Sequence, residues 1–373
     1  MKRLEVKNIT KKFGQLTAVK DLSFNCEKGE TVVLLGPTGA GKTTTLRCLS
    51  GLEDLNQGKV FLDGEDISFL PPNKREVAMF FQNYALYPHM TVGENMAYPL
   101  LSPERSKMFS KEEVNRKVKE VADLLQISEL LNRKPTQLSG GQKQRTALGR
   151  TLIRKPKVFL LDEPIAHLDA VLRHRMRGEM KRIFKELKCT VVYVTHDYKE
   201  ALSIGDKILV IRKGELVQIG DADDIWSHMN SVFVANMVGD PPMNFLRGSL
   251  KKKDDHYQIE LPKLASEIVF DSGKGLMNGQ KEREILLGLR PTDVNLLNEK
   301  RPNSIQGHLD VIEPISSNFE LTIYLNDKSS FKIKTKKNYN EFLDKEIWIT
   351  VNTEKMYLFH PQDGKAIYHG RSF

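Results

Sequence analysis

Apolar positions along this chain change period several times, and each change marks an element. Near the start, Leu4 and Val6, then Leu22 and Phe24, alternate with polar residues ahead of Lys28-Gly29, the period of antiparallel strands with one face buried. Thr31-Val32-Val33-Leu34-Leu35, Val158-Phe159-Leu160-Leu161 and Thr190-Val191-Val192-Tyr193-Val194-Thr195 are continuous apolar runs rich in β-branched residues. Strands buried on both faces of a parallel sheet read this way. Val114, Val118, Val121 and Leu125 follow helical spacing behind the capping box Ser110-Lys111-Glu112-Glu113, so a helix with an apolar core stripe is predicted there. A second long helix, dense in Arg and Lys, is predicted over Val171–Leu187, and a short one from Lys199-Glu200-Ala201-Leu202. Ile208–Ile211 and Gly214–Gly220 read as a hairpin, and Asn73–Pro103 as loop-rich. Past Pro241-Pro242 the pattern turns to short strands with turn residues between them: His308–Ile312, Glu320–Leu325, Phe331–Thr335 and Ile347–Val351. That spacing predicts a small β-barrel. The chain is therefore α/β to about residue 235 and all-β over 236–373, with helices inserted at about 88–155.

Three of these elements carry chemistry. Gly36-Pro37-Thr38-Gly39-Ala40-Gly41-Lys42-Thr43 follows the first buried strand and opens a helix at Thr44. This is the strand–loop–helix context of a phosphate cradle: glycines turn backbone amides inward, and the helix start favours the anion. Lys42 can reach the β- and γ-phosphates of a nucleotide, and the Thr43 hydroxyl can ligate Mg²⁺. Asp162-Glu163 closes the second buried strand at its C-terminal end, the edge where open α/β sheets bind ligands. Alone, such a pair is common. Beside the cradle, Asp162 is a Mg²⁺ partner and Glu163 a base that polarises water. Leu138-Ser139-Gly140-Gly141-Gln142 is a second helix start, with Ser139 as cap and two glycines that leave the amides open. One chain thus holds two phosphate sites but one lysine-bearing cradle, an economy that suggests a head-to-tail pair.

These motifs resemble the nucleotide-binding subunit of an ABC transporter, and further motifs match in order. The resemblance implies that Phe13, in Lys11-Lys12-Phe13-Gly14, stacks on the adenine of ATP, and that Gln82, in Phe80-Phe81-Gln82-Asn83, contacts Mg²⁺ and water and faces the membrane partner. It implies that Asp169 lies in the loop crossing to the other subunit, and that His196, in Val194-Thr195-His196-Asp197, contacts the γ-phosphate. Isolated, Phe13 would read as a packing aromatic and Gln82 as a solvated loop residue; order and spacing raise them. Tyr84, Leu86, Tyr87 and Met90 follow Gln82, where the family docks a short helix of the membrane subunit. In the tail, Asp240–Leu246 and Leu287-Gly288-Leu289-Arg290-Pro291 look like the extension of maltose-type carbohydrate-importer ATPases. The implied fold is a P-loop nucleotide-binding domain with a helical insertion, then an OB-like barrel serving assembly or regulation. The implied function is ATP hydrolysis that powers import of a carbohydrate, polyol or glycerol-type solute. The implied partners are a twin or homologous ATPase, two integral-membrane permease subunits and an external solute-binding protein, with this chain on the cytoplasmic face of the membrane. The chain departs from the family at Ala166, where Ser is usual, and at Tyr198, where Gln is frequent. Ala166 keeps a heterodimer open, and His167-Leu168-Asp169-Ala170 points toward polyol or glycerol-type importers.

Composition narrows the picture little further. With 57 Lys and Arg against 48 Asp and Glu, the net charge is +9, which suits nucleic acid, an anionic membrane or solubility alike. No long basic run is interleaved with aromatics, and Lys251-Lys252-Lys253 runs straight into Asp254-Asp255. A soluble ABC ATPase acting on nucleic acid or ribosomes is the alternative, but those often carry two cassettes or a long coiled coil. One cassette and no sustained heptads are present, and the tail also speaks against an exporter. No apolar run reaches the roughly 18 residues of a membrane span, and Met1–Lys7 lacks the apolar core of a signal peptide. Cys26, Cys48 and Cys189 lack metal or redox spacing and are read as buried, reduced thiols.

Overall fold

The long strands at the start and the continuous apolar runs build two sheets in the first part of the chain. The computed structural model describes residues 2–101, 108–166, 168–253, 256–271, 276 and 282–370; His167, Asp254 and Asp255 lie outside them. The chain divides into Met1–Ala222 and Asp223–Phe373, ahead of the break expected at 235.

In the first unit, β1 (Lys2–Phe13) and β2 (Leu16–Glu27) alternate buried and exposed positions, as their period predicts, and pair antiparallel. With β4 (Gln57–Leu62) and β5 (Glu65–Asp66) they form a sheet in the order β2-β1-β4-β5. The second sheet runs β10-β9-β3-β8-β7-β6. Its parallel centre consists of β3 (Thr31–Leu35), β6 (Val77–Phe80), β7 (Val158–Asp162), β8 (Val191–Thr195) and β9 (Lys207–Arg212), with β10 (Glu215–Gly220) added as the expected hairpin. Every residue of β3, β7 and β8 is buried. One face, through Val32, Leu34, Leu160 and Val192, shares a core with β1, β2, β4 and helix α1 (Lys42–Ser50). Two-sided burial is why these strands lack polar alternation.

Between β6 and β7 lie α2 (Val92–Ala97), α3 (Lys111–Leu124) and α4 (Gly140–Leu152), within the insertion expected at about 88–155, and the stretch expected to be loop-rich also contains β6. Ser110 and Glu113 form both bonds of the predicted capping box, and Val114, Val118 and Leu125 are buried. Gly149 allows α4 to close on its neighbours, since a Cβ there would lie 2.8 Å from Met96 Cε and 3.1 Å from Leu125 Cδ1. The sequence continues through α5 (Ala170–Glu186) and α6 (Tyr198–Ile204).

The second unit gathers α7 (Ala222–Ser227) and α8 (Val232–Met237) with its strands, because Arg290 donates to Trp226 O at 2.5 Å and Val238 O at 2.9 Å, and Val232 N to Gly364 O at 2.8 Å. These bonds draw the division back to Ala222. The predicted short strands appear as β16 (Ser304–Ile315), β17 (Asn318–Leu325), β18 (Ser330–Thr335) and β19 (Glu346–Val351), and with β15 (Val294–Leu297) they form a sheet in the order β15-β19-β16-β17-β18. The five-stranded sheet that stands where a small barrel is expected has an unanticipated companion. A sheet of β11 (Asn244–Lys253), β12 (His256–Leu261), β13 (Ser266–Phe270), β14 (Glu282–Leu289), β20 (Tyr357–Phe359) and β21 (Ala366–His369), in the order β13-β12-β11-β14-β20-β21, shares one apolar core with it.

Candidate active site

The predicted cradle leaves the C-terminal end of β3 and enters α1 at Lys42. Gly41 caps that helix at φ 99°, and a Cβ there would lie 2.2 Å from Ala18 O, so only glycine fits the turn. Pro37, Thr38, Gly39 and Thr43 are exposed, Gly36 and Ala40 are buried, and Thr44 is half-buried. Lys42 is buried, and its Nζ donates to Gly36 O at 2.8 Å and Pro37 O at 3.0 Å. Burial pushes the pKa of its ammonium down, against the pull of Glu163 and then Asp162.

Thr43 Oγ1 donates to Asp162 Oδ1 at 3.0 Å. Asp162 ends β7 and is buried, and that burial pushes its carboxyl pKa up despite the Thr43 bond and the attraction of Lys42. Glu163 follows at φ 44°, a left-handed conformation that residues other than glycine adopt at a cost and that concentrates at functional sites. Its carboxylate joins three predicted residues: Oε1 lies 3.1 Å from His196 Nδ1 and 4.0 Å from Lys42 Nζ, and Oε2 accepts from Gln82 Nε2 at 3.3 Å. The segments following β3, β6, β7 and β8 thus converge at the C-terminal edge of the parallel sheet, the edge where such sheets hold ligands.

The donors suit a phosphate held with a hard cation. A Thr hydroxyl and one carboxylate are oxygen ligands, and magnesium often takes only one or two carboxylates from the protein beside phosphate oxygens and water. Such a site needs no cluster of three acidic, His or Cys residues, and none occurs among the described residues.

The buried carboxyl has a measurable consequence. A group whose folded pKa lies above its unfolded value binds its proton more readily in the folded chain, so stability falls as pH rises through that interval. The carboxylate form of Asp162 bears a desolvation cost that an amide escapes, while an Asn oxygen can still accept from Thr43. Asp162→Asn is therefore expected to raise the melting temperature of the nucleotide-free chain at pH 7 by on the order of 2–4 °C, the shift that ~1 kcal/mol gives in a domain of this size. The gain should shrink toward pH 4, and stabilisation by Mg²⁺-ATP should be lost. Calorimetry across that range checks it; a lower melting temperature at pH 7 would refute the argument.

The remaining predicted residues stand apart from this cluster. Ser139 caps α4: its Oγ accepts from Gln142 N at 3.4 Å, and Gln142 Oε1 accepts from Ser139 N at 2.9 Å. Ser139 and Gly140 are exposed, whereas Gly141 is buried with Leu172 close by. Asp169 caps α5, accepting from Leu172 N at 2.9 Å. Phe13 ends β1, 45% exposed, with the Lys11 ammonium 4.8 Å from its ring centre. Among the described residues, no hydrogen bond or ion pair joins Ser139, Gln142, Asp169 or Phe13 to the carboxylate cluster. Tyr84, Leu86, Tyr87 and Met90 are half-buried, and the Tyr87 ring lies 4.7 Å from that of Tyr98, so part of the expected docking surface is spent on the chain's own insertion.

Two arginines escaped the sequence reading. Arg173 Nη2 donates to Ala166 O at 3.2 Å and Leu168 O at 3.0 Å, while Nη1 lies 3.9 Å from the carboxylate of Asp197, beside His196. Arg150 holds the segment after Gln82. A cation inside the otherwise uncharged run Thr146–Leu152 was the available signal.

Comparison with known proteins agrees with this geometry. The family model described as ABC transporter matches residues 19–166. The trehalose/maltose import ATP-binding protein of Thermococcus litoralis is 38% identical, over 97% of this chain and 98% of that protein. The sn-glycerol-3-phosphate import ATP-binding protein of Psychromonas ingrahamii is 43% identical, over 81% of this chain and 77% of that protein. A solved dimeric ATP-binding cassette in a post-hydrolysis state, bound to ADP and phosphate, superposes with a TM-score of 0.53 at 31% identity, covering 59% of this chain and 98% of the cassette.

Proposed function

The chain belongs to the ATP-binding subunits of ABC transporters and hydrolyses ATP, and from that premise we propose that it energises import of a carbohydrate, polyol or glycerol-type solute. The observation that carries the reading is the Glu163 carboxylate, met by Lys42, Gln82 and His196 where the parallel strands end. Two chains, or this chain and a homologue, close head to tail on two ATP molecules. The backbone N–H groups of residues 36–43, of which Pro37 has none, and the Lys42 ammonium hold the β- and γ-phosphates from one side. Ser139, with the helix start at Gly140, Gly141 and Gln142, approaches the γ-phosphate from the other chain, and Asp169 lies along the same seam. Phe13 stacks on the adenine.

Thr43 and Asp162, with Gln82 near them, would hold Mg²⁺, which when bound offsets the charge of the phosphates. Glu163 takes a proton from the attacking water, His196 fixes the γ-phosphate, and Gln82 senses whether the site is filled. Most of the rate enhancement comes from positioning and charge stabilisation, as phosphoryl transfer requires. No described helix is long and apolar enough to cross a membrane, so the reading places the chain at the cytoplasmic face against two permease subunits, with a solute-binding protein outside.

The partner distinguishes this reading from a soluble ABC ATPase that acts on nucleic acid or ribosomes. The tagged chain, captured from detergent-solubilised membranes, is expected to bring down a pair of integral-membrane proteins in a ratio of two ATPase chains to two permease subunits. Capture of ribosomes or DNA without a permease would overturn importer function and leave the ATPase intact.

A further inference from the structure

The segment after Gln82 is pinned at two points, and both pins belong to the helical insertion. Arg150, in the last turn of α4, donates from Nη1 to Ala85 O at 2.6 Å and from Nη2 to Tyr84 O at 2.8 Å. Its guanidinium also lies 5.6 Å from the centre of the Tyr87 ring. Among the described residues no carboxylate pairs with it, so its donors serve main-chain carbonyls. The two residues it holds sit at φ 61° and 45°, consecutive left-handed conformations that side-chain-bearing residues seldom adopt unless the surroundings enforce them. Farther on, fully buried Asn95 accepts from Tyr87 N at 2.8 Å and donates to Tyr87 O, Met90 O and Thr91 O at 2.9–3.1 Å.

Gln82 itself touches Glu163 in the sheet. Within two residues the chain passes from the carboxylate cluster to a backbone gripped by α4. That helix is capped by Ser139 and spans 13 residues, a rod of ~20 Å at 1.5 Å per residue. We infer that Arg150 is the positioning residue through which α4 holds the segment after Gln82 and carries displacements of the Ser139 end to it. Contact of Ser139 with a nucleotide across the dimer would then reach residues 83–87 by rigid movement of one helix. The movement rests on the composite-site reading above, whereas the grip of Arg150 does not.

Hydrogen exchange on the full chain tests both parts. The parent is Glu163→Gln, compared with the same chain carrying Arg150→Ala or Arg150→Lys, each with and without Mg²⁺-ATP. Without nucleotide, Arg150→Ala is expected to speed exchange of the amides of residues 83–87 tenfold or more, with α4 unchanged. Exchange within twofold of the parent would overturn the grip. With ATP, the parent is expected to slow exchange in the first turn of α4 and in residues 83–87 together. Arg150→Ala should keep the α4 response and lose the loop response, and Arg150→Lys should restore part of it. A loop that responds to ATP equally in the Ala variant overturns the coupling. A parent in which neither segment responds overturns it too, and it is told apart from a failed grip by the nucleotide-free comparison.

Discussion

Replacing Glu163 with Gln is expected to cut steady-state ATP hydrolysis by roughly 100- to 10,000-fold, the range for removing a positioned acid–base group, while ATP binding survives. The carboxylate has one oxygen between His196 and Lys42 and the other on Gln82, so an amide of the same shape keeps most of the geometry and loses the base. It also removes a negative charge from the place where the γ-phosphate must settle. ATP-bound dimers should therefore accumulate, visible as a shift to twice the mass by light scattering with ATP but not with ADP. Phosphate release at the wild-type rate would take the base assignment away from Glu163. The backbone at this position, φ 44°, aims the side chain into the convergence of four loops. In the proposed mechanism, strain there is part of how the sheet edge presents the base to the ligand.

The elements that position this carboxylate were legible because they are governed by local rules. Continuous apolar runs declare strands covered on both faces, the glycine spacing declares a cradle, and a capping box and a serine cap declare where α3 and α4 begin. What escaped detection depends on tertiary context. Among the described residues, the four residues of β6, Val77–Phe80, pair only with β7, and so short an apolar run carries too little period to be told from loop. The sheet of β11–β14, β20 and β21 collects strands from both ends of the second unit, and only shared burial makes them one layer. Within the site, motif spacing supplied the residue list. It could not reveal that Glu163 bonds both Gln82 and His196, nor that Gly141 is buried with Leu172 close by. Arg150 and Asn95 were missed because their hydrogen-bond partners are main-chain groups, which leave no trace in the sequence.

A dimer mixed from two disabled chains gives the sharpest separation of the site's two halves. Lys42→Ala removes the ammonium now held by Gly36 O and Pro37 O. A hydrogen bond to a charged group is worth roughly 1.5–3 kcal/mol, so ATP affinity should fall on the order of 10- to 100-fold at ~1.4 kcal/mol per tenfold. Ser139→Arg fills the exposed start of α4 with a long side chain and spares the cradle in the same chain. In a Glu163→Gln background, neither variant alone should form ATP-dependent dimers that occlude nucleotide. Mixed, the Lys42 of the Ser139→Arg chain faces the intact Ser139 of the Lys42→Ala chain, so one whole site is rebuilt. Such dimers should occlude one ATP each, against two in the parent. If the two halves acted within one chain, both chains would stay broken and mixing would restore nothing. The same format tests Ala166: if this chain's natural partner is a homologue that supplies Ser there, mixed dimers of the two should close at lower ATP concentration than dimers of this chain alone.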